Sequence, residues 1–321
     1  MKISRLGFVD LVLVILASSV FVSSFVISFL VNNKKIENIS NVSPTSLEIP
    51  FPTSSVLPTT TPTVTPSTTP TSIATTKPLV TSTPRPVVNN VPPNAGYSRQ
   101  SVSTDGGIFT VSIVSADISS TRVIVDTAST SDCGSNCPVL SLSDYVARNN
   151  GFAGINGTYF CPKDYASCAG KENSFDLLVM NKDKYYFNSG NNVYSNNPTV
   201  IFGSGYIRFV TSGSQWGRDT GVNGVLMNYP LLVFNGNITF GGDDDPKKGS
   251  KGNRSFVANK GNIVYIGVVH SATVAESARV MKSMGMDNAL NLDNGGSTAL
   301  WYGGYKLGPG RQIPNAIIFT R

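Results

Sequence analysis

The chain has 321 residues, with 25 lysines and arginines against 19 acidic residues, and it carries a net charge of +6. Six of the basic and three of the acidic residues precede residue 97, so the segment 97–321 carries a net charge of only +3. No basic run in that segment is longer than two residues, which argues against a nucleic-acid partner. The composition also excludes a polytopic membrane protein, a coiled coil and a wholly disordered chain.

An uncharged apolar run, 11–31, lies near the N-terminus. A helix rises about 1.5 Å per residue, so this run is long enough to span a hydrocarbon core of about 30 Å. It is longer than the apolar part of a usual signal peptide, and no clear A-x-A cleavage sequence follows it. We therefore predict a single transmembrane helix and an N-terminal membrane anchor over residues 1–35, with a cleaved signal peptide as the alternative.

Residues 36–96 are predicted to form a disordered linker. Proline, threonine and serine make up 31 of the 50 residues between positions 41 and 90. Such a chain buries too little apolar surface to fold, and it would hold the folded domain, 97–321, away from the membrane. A recognition segment for a proline-binding partner is the alternative.

All four cysteines lie in one short stretch of the domain. The simplest disulfide arrangement has two local loops, Cys133–Cys137 and Cys161–Cys168, although three pairings are possible. A zinc site is the alternative, but the spacings C-x3-C and C-x6-C are not the usual ones, and thiols behind an export segment tend to oxidise. The cysteines therefore favour an extracellular domain with structural disulfides, and we assign no metal site.

Strand patterns dominate the domain. Alternating apolar residues and turn sequences predict strands at 109–113, 122–125, 176–180, 184–187, 199–202, 206–210, 230–234, 238–240, 255–258 and 263–269. Asn235 and Gly236 between two of these strands are a strong hairpin signal.

Two helices are predicted among these strands. Thr273 and Glu276 form a capping box before an apolar helix face that stops at Gly285, and a shorter helix begins near Ser141. Each helix leads into a short buried strand, 152–155 or 289–292, which ends in a polar residue followed by glycine. The predicted class is α+β, with a large, mostly antiparallel or mixed β-sheet core and a few packed helices.

The polar ends of these two short strands are candidate sites. Asp293 follows one strand and precedes Gly295, Gly296 and Ser297, so a rigidly held carboxylate stands next to backbone that a ligand can approach. Asn156 follows the other strand and can offer a donor and an acceptor to a sugar hydroxyl. For both segments, a simple turn is the alternative.

Further candidates lie outside these ends. Arg254 and Arg311 adjoin apolar segments, and a planar guanidinium suits bidentate binding of phosphate, although surface solvation is the alternative. His270 is the one histidine, and it is either a proton-transfer group or a packed residue. Three aspartates at 243–245 indicate a solvated loop, with a calcium site as the alternative.

Taken in chain order, five stretches resemble the phosphodiester glycosidase family over about residues 107–321: I-N-G-T-Y-F, P-L-L-V-F-N-G, R-S-F-V-A, N-L-D-N-G-G-S-T and R-Q-I-P-N-A-I. Asn294 and Thr158 stand where the family has glycines. The resemblance implies hydrolysis of the sugar C1–O bond of a sugar-1-phosphodiester. The implied catalytic residues are Asp293, Arg254, Arg311 and His270, and the implied substrate-binding residues are Asn156, Gly157, Gly295, Gly296, Ser297 and Asn315.

This implied chemistry agrees with the composition of the domain. A phosphate ester leaves as a weak base and needs little help from an acid, which suits a domain whose only glutamates are Glu172 and Glu276. Asp293 would stabilise the oxocarbenium-like centre or activate water, and the two arginines would neutralise phosphate. We predict no cofactor, a carbohydrate phosphodiester substrate, and a membrane partner reached through the N-terminal helix. A non-catalytic carbohydrate- or cell-wall-binding module is the alternative.

Overall fold

The computed structural model describes residues 87–321, apart from the side chains of Asn192 and Val193. The strands are β1 (Gly96–Thr104), β2 (Gly107–Asp117), β3 (Arg122–Thr127), β4 (Ala153–Asn156), β5 (Val179–Met180), β6 (Tyr186–Phe187), β7 (Thr199–Gly203), β8 (Tyr206–Val210), β9 (Gly224–Met227), β10 (Leu231–Phe234), β11 (Asn237–Ile238), β12 (Gly252–Lys260), β13 (Ile263–Ala272), β14 (Asn288–Asn291), β15 (Leu300–Tyr302), β16 (Tyr305–Leu307) and β17 (Asn315–Thr320). The helices are α1 (Leu142–Arg148), α2 (Asn191–Tyr194), α3 (Pro246–Gly249) and α4 (Val274–Ser283), with 3-10 turns at Ala166–Cys168, Gly213–Trp216 and Gly295–Ser297.

These strands form three sheets. The seven-stranded sheet has the order β1–β2–β13–β12–β14–β10–β11. The β4 sheet has the order β16–β15–β4–β17–β3, and the β9 sheet has the order β6–β5–β9–β7–β8. Within the described residues, every pair of neighbouring strands is antiparallel. The prediction of an α+β domain with a mostly antiparallel sheet core and few helices is confirmed for this part of the chain.

One apolar core is shared by all three sheets. It contains, among others, Val114, Val257 and Leu290 from the seven-stranded sheet, Ile155 and Ile317 from the β4 sheet, and Val200 and Leu226 from the β9 sheet. On its other face, the seven-stranded sheet packs against α4, and the β4 sheet packs against α1. Both predicted helices therefore bury their apolar faces on the sheets that carry the candidate strand ends.

The helix ends follow the signals in the sequence. The Glu276 N–H donates to Thr273 Oγ1 at 3.1 Å, and the Thr273 N–H donates to the Glu276 carboxylate at 2.7 Å, which completes the predicted capping box. Gly285, at φ 72°, ends α4. Ser141 caps α1 by accepting from the Asp144 N–H at 3.2 Å. Both predicted helix starts are confirmed.

The cysteines form two local disulfides, Cys133–Cys137 and Cys161–Cys168, as predicted. The segment that follows the second loop connects the two loops. The Glu172 carboxylate accepts from the Ser135 hydroxyl at 2.8 Å, and the Glu172 carbonyl oxygen accepts from the Cys137 N–H at 3.0 Å. The Asn173 N–H donates to the Cys161 carbonyl oxygen at 2.6 Å. The disulfide loops therefore brace each other next to the chain that follows β4.

The predicted transmembrane helix and most of the predicted linker lie outside the described residues. Among the helices of residues 87–321, none is long and apolar enough to cross a membrane. The last part of the predicted linker contacts β1. The Asn89 N–H donates to the Ser101 carbonyl oxygen at 2.8 Å, and the Asn90 side chain bonds the Ser103 backbone twice.

Candidate active site

The two predicted strand ends meet, although β4 and β14 belong to different sheets. Asn156 ends β4, and its Nδ2 donates to the Asp293 carbonyl oxygen at 2.7 Å, across a separation of 137 positions. The Asp293 N–H donates to the Gly157 carbonyl oxygen at 2.9 Å. These two hydrogen bonds hold both polar segments in one site.

The Asn156 side chain is directed into the protein. It is 0% exposed, and its Oδ1 accepts from Ser255 Oγ at 2.9 Å and from the Ala299 N–H at 3.2 Å. The amide therefore connects β4 to β12 and to the Asp293 segment. In this arrangement Asn156 positions Asp293, and no part of its side chain is exposed for the sugar contact that the sequence predicts.

We expect Asn156→Ala to lower the free energy of unfolding by about 2–4 kcal/mol, because it leaves several buried hydrogen-bonding groups without a partner. Urea unfolding at pH 7 measures this loss. Asn90→Ala is the matched control, since the Asn90 amide bonds only the Ser103 backbone near the surface. A loss no larger than that of the control would contradict the positioning role.

Asp293 carries a carboxyl group in an unusual environment. Burial raises its pKa from the ordinary value of 3.8 to about 7. The Ser297 hydroxyl, the Asn294 N–H and the Arg311 guanidinium act in the opposite direction, and the Asp176 carboxylate adds to the increase. The Asn294 N–H donates to Asp293 Oδ1 at 2.8 Å. A carboxyl group with such a pKa exchanges its proton near neutral pH, a property that is typical of functional sites.

Arg311 lies within electrostatic reach of Asp293, and its segment is bonded to the Gly295–Ser297 turn. The Arg311 N–H donates to the Gly296 carbonyl oxygen at 2.8 Å. A Cβ atom at Gly296 would lie 2.7 Å from Arg311 Nη2, so a side chain here would displace the guanidinium from its present position. The guanidinium also lies 3.3 Å from Asp164 Oδ2 and 5.2 Å from the centre of the Tyr165 ring.

Tyr159 places a phenol within electrostatic reach of both Asp293 and Arg254. Its hydroxyl oxygen accepts from Asn291 Nδ2 at 2.7 Å. Burial raises the pKa of Tyr159, the charges of Asp293 and Tyr229 raise it further, and Arg254 lowers it. The phenol is therefore protonated at neutral pH, and its O–H is a donor next to the Asp293 carboxyl group.

Arg254 is buried and bonded mainly to the backbone. Its Nε donates to the Ala272 carbonyl oxygen at 2.9 Å, and its Nη2 donates to the carbonyl oxygens of Lys247, at 3.0 Å, and Ser250. Burial lowers the pKa of Arg254, but a guanidinium remains charged at neutral pH. Arg254 therefore holds the turn that contains α3 against the site.

Hydrogen bonds, cation–aromatic contacts and electrostatic interactions link six residues in a closed series, which we call the site ring: Asp293, Arg311, Tyr165, Lys247, Arg254 and Tyr159. The links of Asp293 to Arg311 and to Tyr159, and of Tyr159 to Arg254, are electrostatic. The last link is Lys247 Nζ, which lies 5.4 Å from the centre of the Tyr165 ring. The structure thus brings together three of the predicted catalytic residues, Asp293, Arg254 and Arg311. It adds three residues that the sequence patterns do not single out.

The family model of the phosphodiester glycosidases matches residues 149–320, which include every member of the site ring. The chain belongs to the phosphodiester glycosidase family. This membership confirms the resemblance carried by the five sequence stretches, and it indicates glycosidase-type activity.

Two solved structures share the fold of this domain. The catalytic domain of zebrafish N-acetylglucosamine-1-phosphodiester α-N-acetylglucosaminidase, auto-inhibited by its pro-peptide, has a TM-score of 0.56 and 16% identity, covering 74% of this chain and 87% of its own. A hypothetical protein from Synechocystis has a TM-score of 0.51 and 16% identity, covering 70% of this chain. The chain spans 62% of the length of the Synechocystis protein. No curated protein matches the chain in sequence.

The other predicted substrate-binding residues divide into two groups. Gly157, Asn315 and Ser297 are buried. A Cβ atom at Gly157 would lie 1.8 Å from Asn315 Oδ1, so packing alone requires this glycine. Gly295 and Gly296 are exposed, and their backbone is open to a ligand.

His270 lies apart from the site ring. Its Nε2 is 2.9 Å from Ser112 Oγ, and it lines a separate cavity of about 350 Å³ with residues 106–110 and Lys251. Burial and the Arg99 charge lower the pKa of His270, so its ring is neutral at pH 7. None of its described contacts reaches the site ring, and we leave His270 out of the proposed machinery.

Several carboxylates near the site have structural roles. Glu172 bonds Ser135 in the first disulfide loop, Glu276 caps α4, and Asp245 caps α3 by accepting from the Lys247 N–H at 2.8 Å. The charged segment 243–248, whose aspartates are predicted to lie in a solvated loop, therefore positions Lys247 in the site ring. Among the described residues, no three His, Cys, Asp or Glu side chains lie together in a way that could hold a metal ion.

The sequence contains weak signals for two of the three residues that its patterns do not single out. Tyr159 lies inside the I-N-G-T-Y-F stretch, directly after the predicted Asn156 and Gly157. Tyr165 is the aromatic residue of the Cys161–Cys168 loop, which borders that stretch. For Tyr165, the available signal was therefore an aromatic side chain in a short disulfide loop next to a family motif.

Proposed function

We propose that this domain hydrolyses the sugar C1–O bond of a sugar-1-phosphodiester. The observation that carries the proposal is the Asp293 carboxyl group, whose pKa is raised to about 7 by burial and which interacts electrostatically with the Arg311 guanidinium. Membership of the phosphodiester glycosidase family supports glycosidase-type chemistry. The site ring supplies a carboxyl group for the sugar and cations for the phosphate.

In the proposed reaction, the oxygen of a water molecule bonds to the sugar C1 while the bond from C1 to the phosphate oxygen breaks. The electron pair of that bond leaves with the phosphate, which becomes a phosphomonoester. One proton of the water passes to the ionised Asp293 carboxylate or through it to solvent. Because the phosphate ester is a weak base, its departure requires no strong acid.

The other members of the site ring have separate proposed roles. Arg311 and Lys247 bind the phosphate, since both cations contact Tyr165 at one side of the site ring. Tyr159 donates its O–H to a substrate oxygen. Two nitrogens of Arg254 donate hydrogen bonds to backbone carbonyl oxygens, one of them that of Lys247. We therefore propose that Arg254 positions Lys247.

The pH dependence of the reaction tests the role of Asp293. Because water activation requires its ionised form, kcat/KM is expected to rise about tenfold per pH unit below pH 7 and to level off above it. Initial rates from pH 5 to pH 9 at constant ionic strength measure this profile. A profile that falls through pH 7 would mean that Asp293 acts as an acid, and the proposed role would be withdrawn.

The bond that breaks is identified by an isotope experiment. The full chain is incubated with phosphodiesters of N-acetylglucosamine and glucose in water enriched in heavy oxygen. Cleavage at C1–O places the heavy oxygen in the free sugar, and cleavage at P–O places it in the phosphomonoester. Label in the phosphomonoester would refute the proposed reaction, and saturable binding without turnover would favour the non-catalytic binding module.

We further propose that the chain is a single-pass protein of the cell membrane, with its C-terminal domain extracellular and acting on surface glycans or glycopolymers. The apolar run 11–31 and the linker composition support the anchor. The two disulfides support an oxidising compartment. Protease treatment of intact cells that releases the domain would support this topology, and a domain protected until lysis would contradict it.

A further inference from the structure

The disulfide loop Cys161–Cys168 lies against one side of the site ring. Besides its disulfide, two backbone hydrogen bonds fold it, from the Tyr165 N–H to the Pro162 carbonyl oxygen at 3.1 Å and from the Cys168 N–H to the Tyr165 carbonyl oxygen at 2.9 Å. The loop is therefore held in one shape by covalent and backbone contacts. Its two central side chains, Asp164 and Tyr165, are presented to the site.

Tyr165 and Asp164 contact the proposed phosphate-binding cations. The cationic groups of Arg311 and Lys247 lie 5.2 Å and 5.4 Å from the centre of the Tyr165 ring, at a distance where the ring attracts cations to its face. Asp164 Oδ2 lies 3.3 Å from Arg311 Nη2, and the Asp164 side chain is 64% exposed. A negative charge thus stands at Arg311 and faces the solvent from which a ligand arrives.

We propose that Asp164 is a specificity-determining residue that admits singly charged phosphodiesters and disfavours doubly charged phosphomonoesters. This inference rests on the proposed function, because it concerns the phosphate bound at Arg311. The repulsion between the Asp164 carboxylate and a ligand grows in proportion to the ligand charge. A phosphodiester carries one negative charge, whereas a phosphomonoester carries about two above its second pKa of about 6.

This difference has a consequence for the reaction cycle. The substrate is a diester and the released aglycone product is a monoester, so the repulsion from Asp164 acts about twice as strongly on the product as on the substrate. If Asp164 weakens diester binding by a given factor, it therefore weakens monoester binding by about the square of that factor. The phosphomonoester is released and does not compete with the next substrate molecule.

The variant Asp164→Asn tests the inference at pH 8 and low ionic strength. We expect the KM for the diester to fall by about 2- to 5-fold and the inhibition constant of the phosphomonoester product to fall by about 4- to 25-fold. Both effects are expected to shrink in 1 M salt, where exposed charges are screened within about 3 Å. An equal change for the two ligands, or no change, would overturn the role of Asp164.

The matched control is Asp183→Asn. Asp183 is also exposed and pairs with Lys182 at 2.7 Å, but it lies in the turn between β5 and β6, outside the site ring. This control is expected to leave the affinities for diester and monoester unchanged. A change in the control as large as that in the Asp164 variant would show a general effect of net charge and would overturn the inference.

A binding measurement separates this inference from the proposed function. Calorimetry with methyl phosphate and dimethyl phosphate is carried out on the full chain and on its Asp164→Asn variant. If the wild type cleaves no diester, the proposed function fails, while a larger gain in methyl phosphate affinity than in dimethyl phosphate affinity still supports Asp164. Absence of binding of both ligands to both proteins overturns the inference.

Discussion

Asp293→Asn is expected to lower kcat at pH 8 by about three to four orders of magnitude, the loss typical of a carboxylate that acts on the reacting atoms. Asparagine keeps the size of the side chain and the oxygen that accepts from the Asn294 N–H. It removes the negative charge and the proton acceptor. Single-turnover rates with a sugar-1-phosphodiester measure the loss, and a variant that keeps full activity would remove Asp293 from the mechanism.

The same variant is expected to be more stable than the wild type at pH 8. The pKa of Asp293 is higher in the folded protein, at about 7, than the ordinary 3.8, so the folded state binds the proton more tightly. The resulting stability is fully present below about pH 4 and is lost as the pH rises through 7. Asp293→Asn avoids this loss, and we expect a gain of about 1–3 kcal/mol at pH 8 that disappears at pH 4.

Thermal unfolding of wild type and variant at the two pH values measures this difference. Asp126→Asn is the matched control, because Asp126 is a buried carboxylate that pairs with Arg148 at 2.7 Å. The control is expected to lose about 1–3 kcal/mol and to keep its kcat. A loss of stability in Asp293→Asn at both pH values would mean that Asp293 is a structural residue like Asp126.

Arg311→Gln is expected to lower kcat/KM by about two to three orders of magnitude, because it removes a charged partner of the phosphate. It also removes a cation that lowers the pKa of Asp293. The rise of kcat/KM with pH is therefore expected to move to higher pH in the variant. A structural role for Arg311 would lower the activity without moving the pH profile.

The pH profile of kcat/KM in wild type and Arg311→Gln distinguishes these two roles. Arg208→Gln is a suitable control, since Arg208 lies on β8 in the β9 sheet and bonds the Trp216 carbonyl oxygen at 3.2 Å. The control is expected to leave both the rate and the profile unchanged. An unchanged profile in Arg311→Gln would place its guanidinium outside the electrostatic environment of Asp293.

Much of the fold that depends on near neighbours was predictable from sequence. The hairpins β7–β8, β10–β11 and β12–β13 are joined by two-residue turns, and in each of them a strand pairs with the next one along the chain. Strands β1, β15 and β16 also pair with a neighbour along the chain but were not predicted. Strands β9 and β17 were not predicted either. β9 lies between β5 and β7, and β17 lies between β3 and β4, so the partners of these strands are distant in sequence.

Half of the site ring was predictable from sequence, but the roles of those residues were not. The family stretches lead to Asp293 and Arg311, which interact electrostatically, and to Asn156, whose amide is turned inward. His270, predicted as the one histidine of the chain, instead bonds Ser112 and lines another cavity. A motif states which residue stands at a strand end, whereas the direction of its side chain depends on the sheet that packs against it.

Short-range chemistry along the chain accounts for the apolar run, the proline-rich segment, the helix caps, the hairpin turns and the local disulfides. Long-range packing sets the rest. It buries Asp293 enough to raise its pKa to about 7, pairs two nitrogens of Arg254 with backbone carbonyl oxygens, and brings both Arg311 and Lys247 to the Tyr165 ring. Desolvation and hydrogen-bond partners depend on surfaces that come into contact only when the three sheets assemble. The residues on either side of a position in the sequence therefore do not predict them.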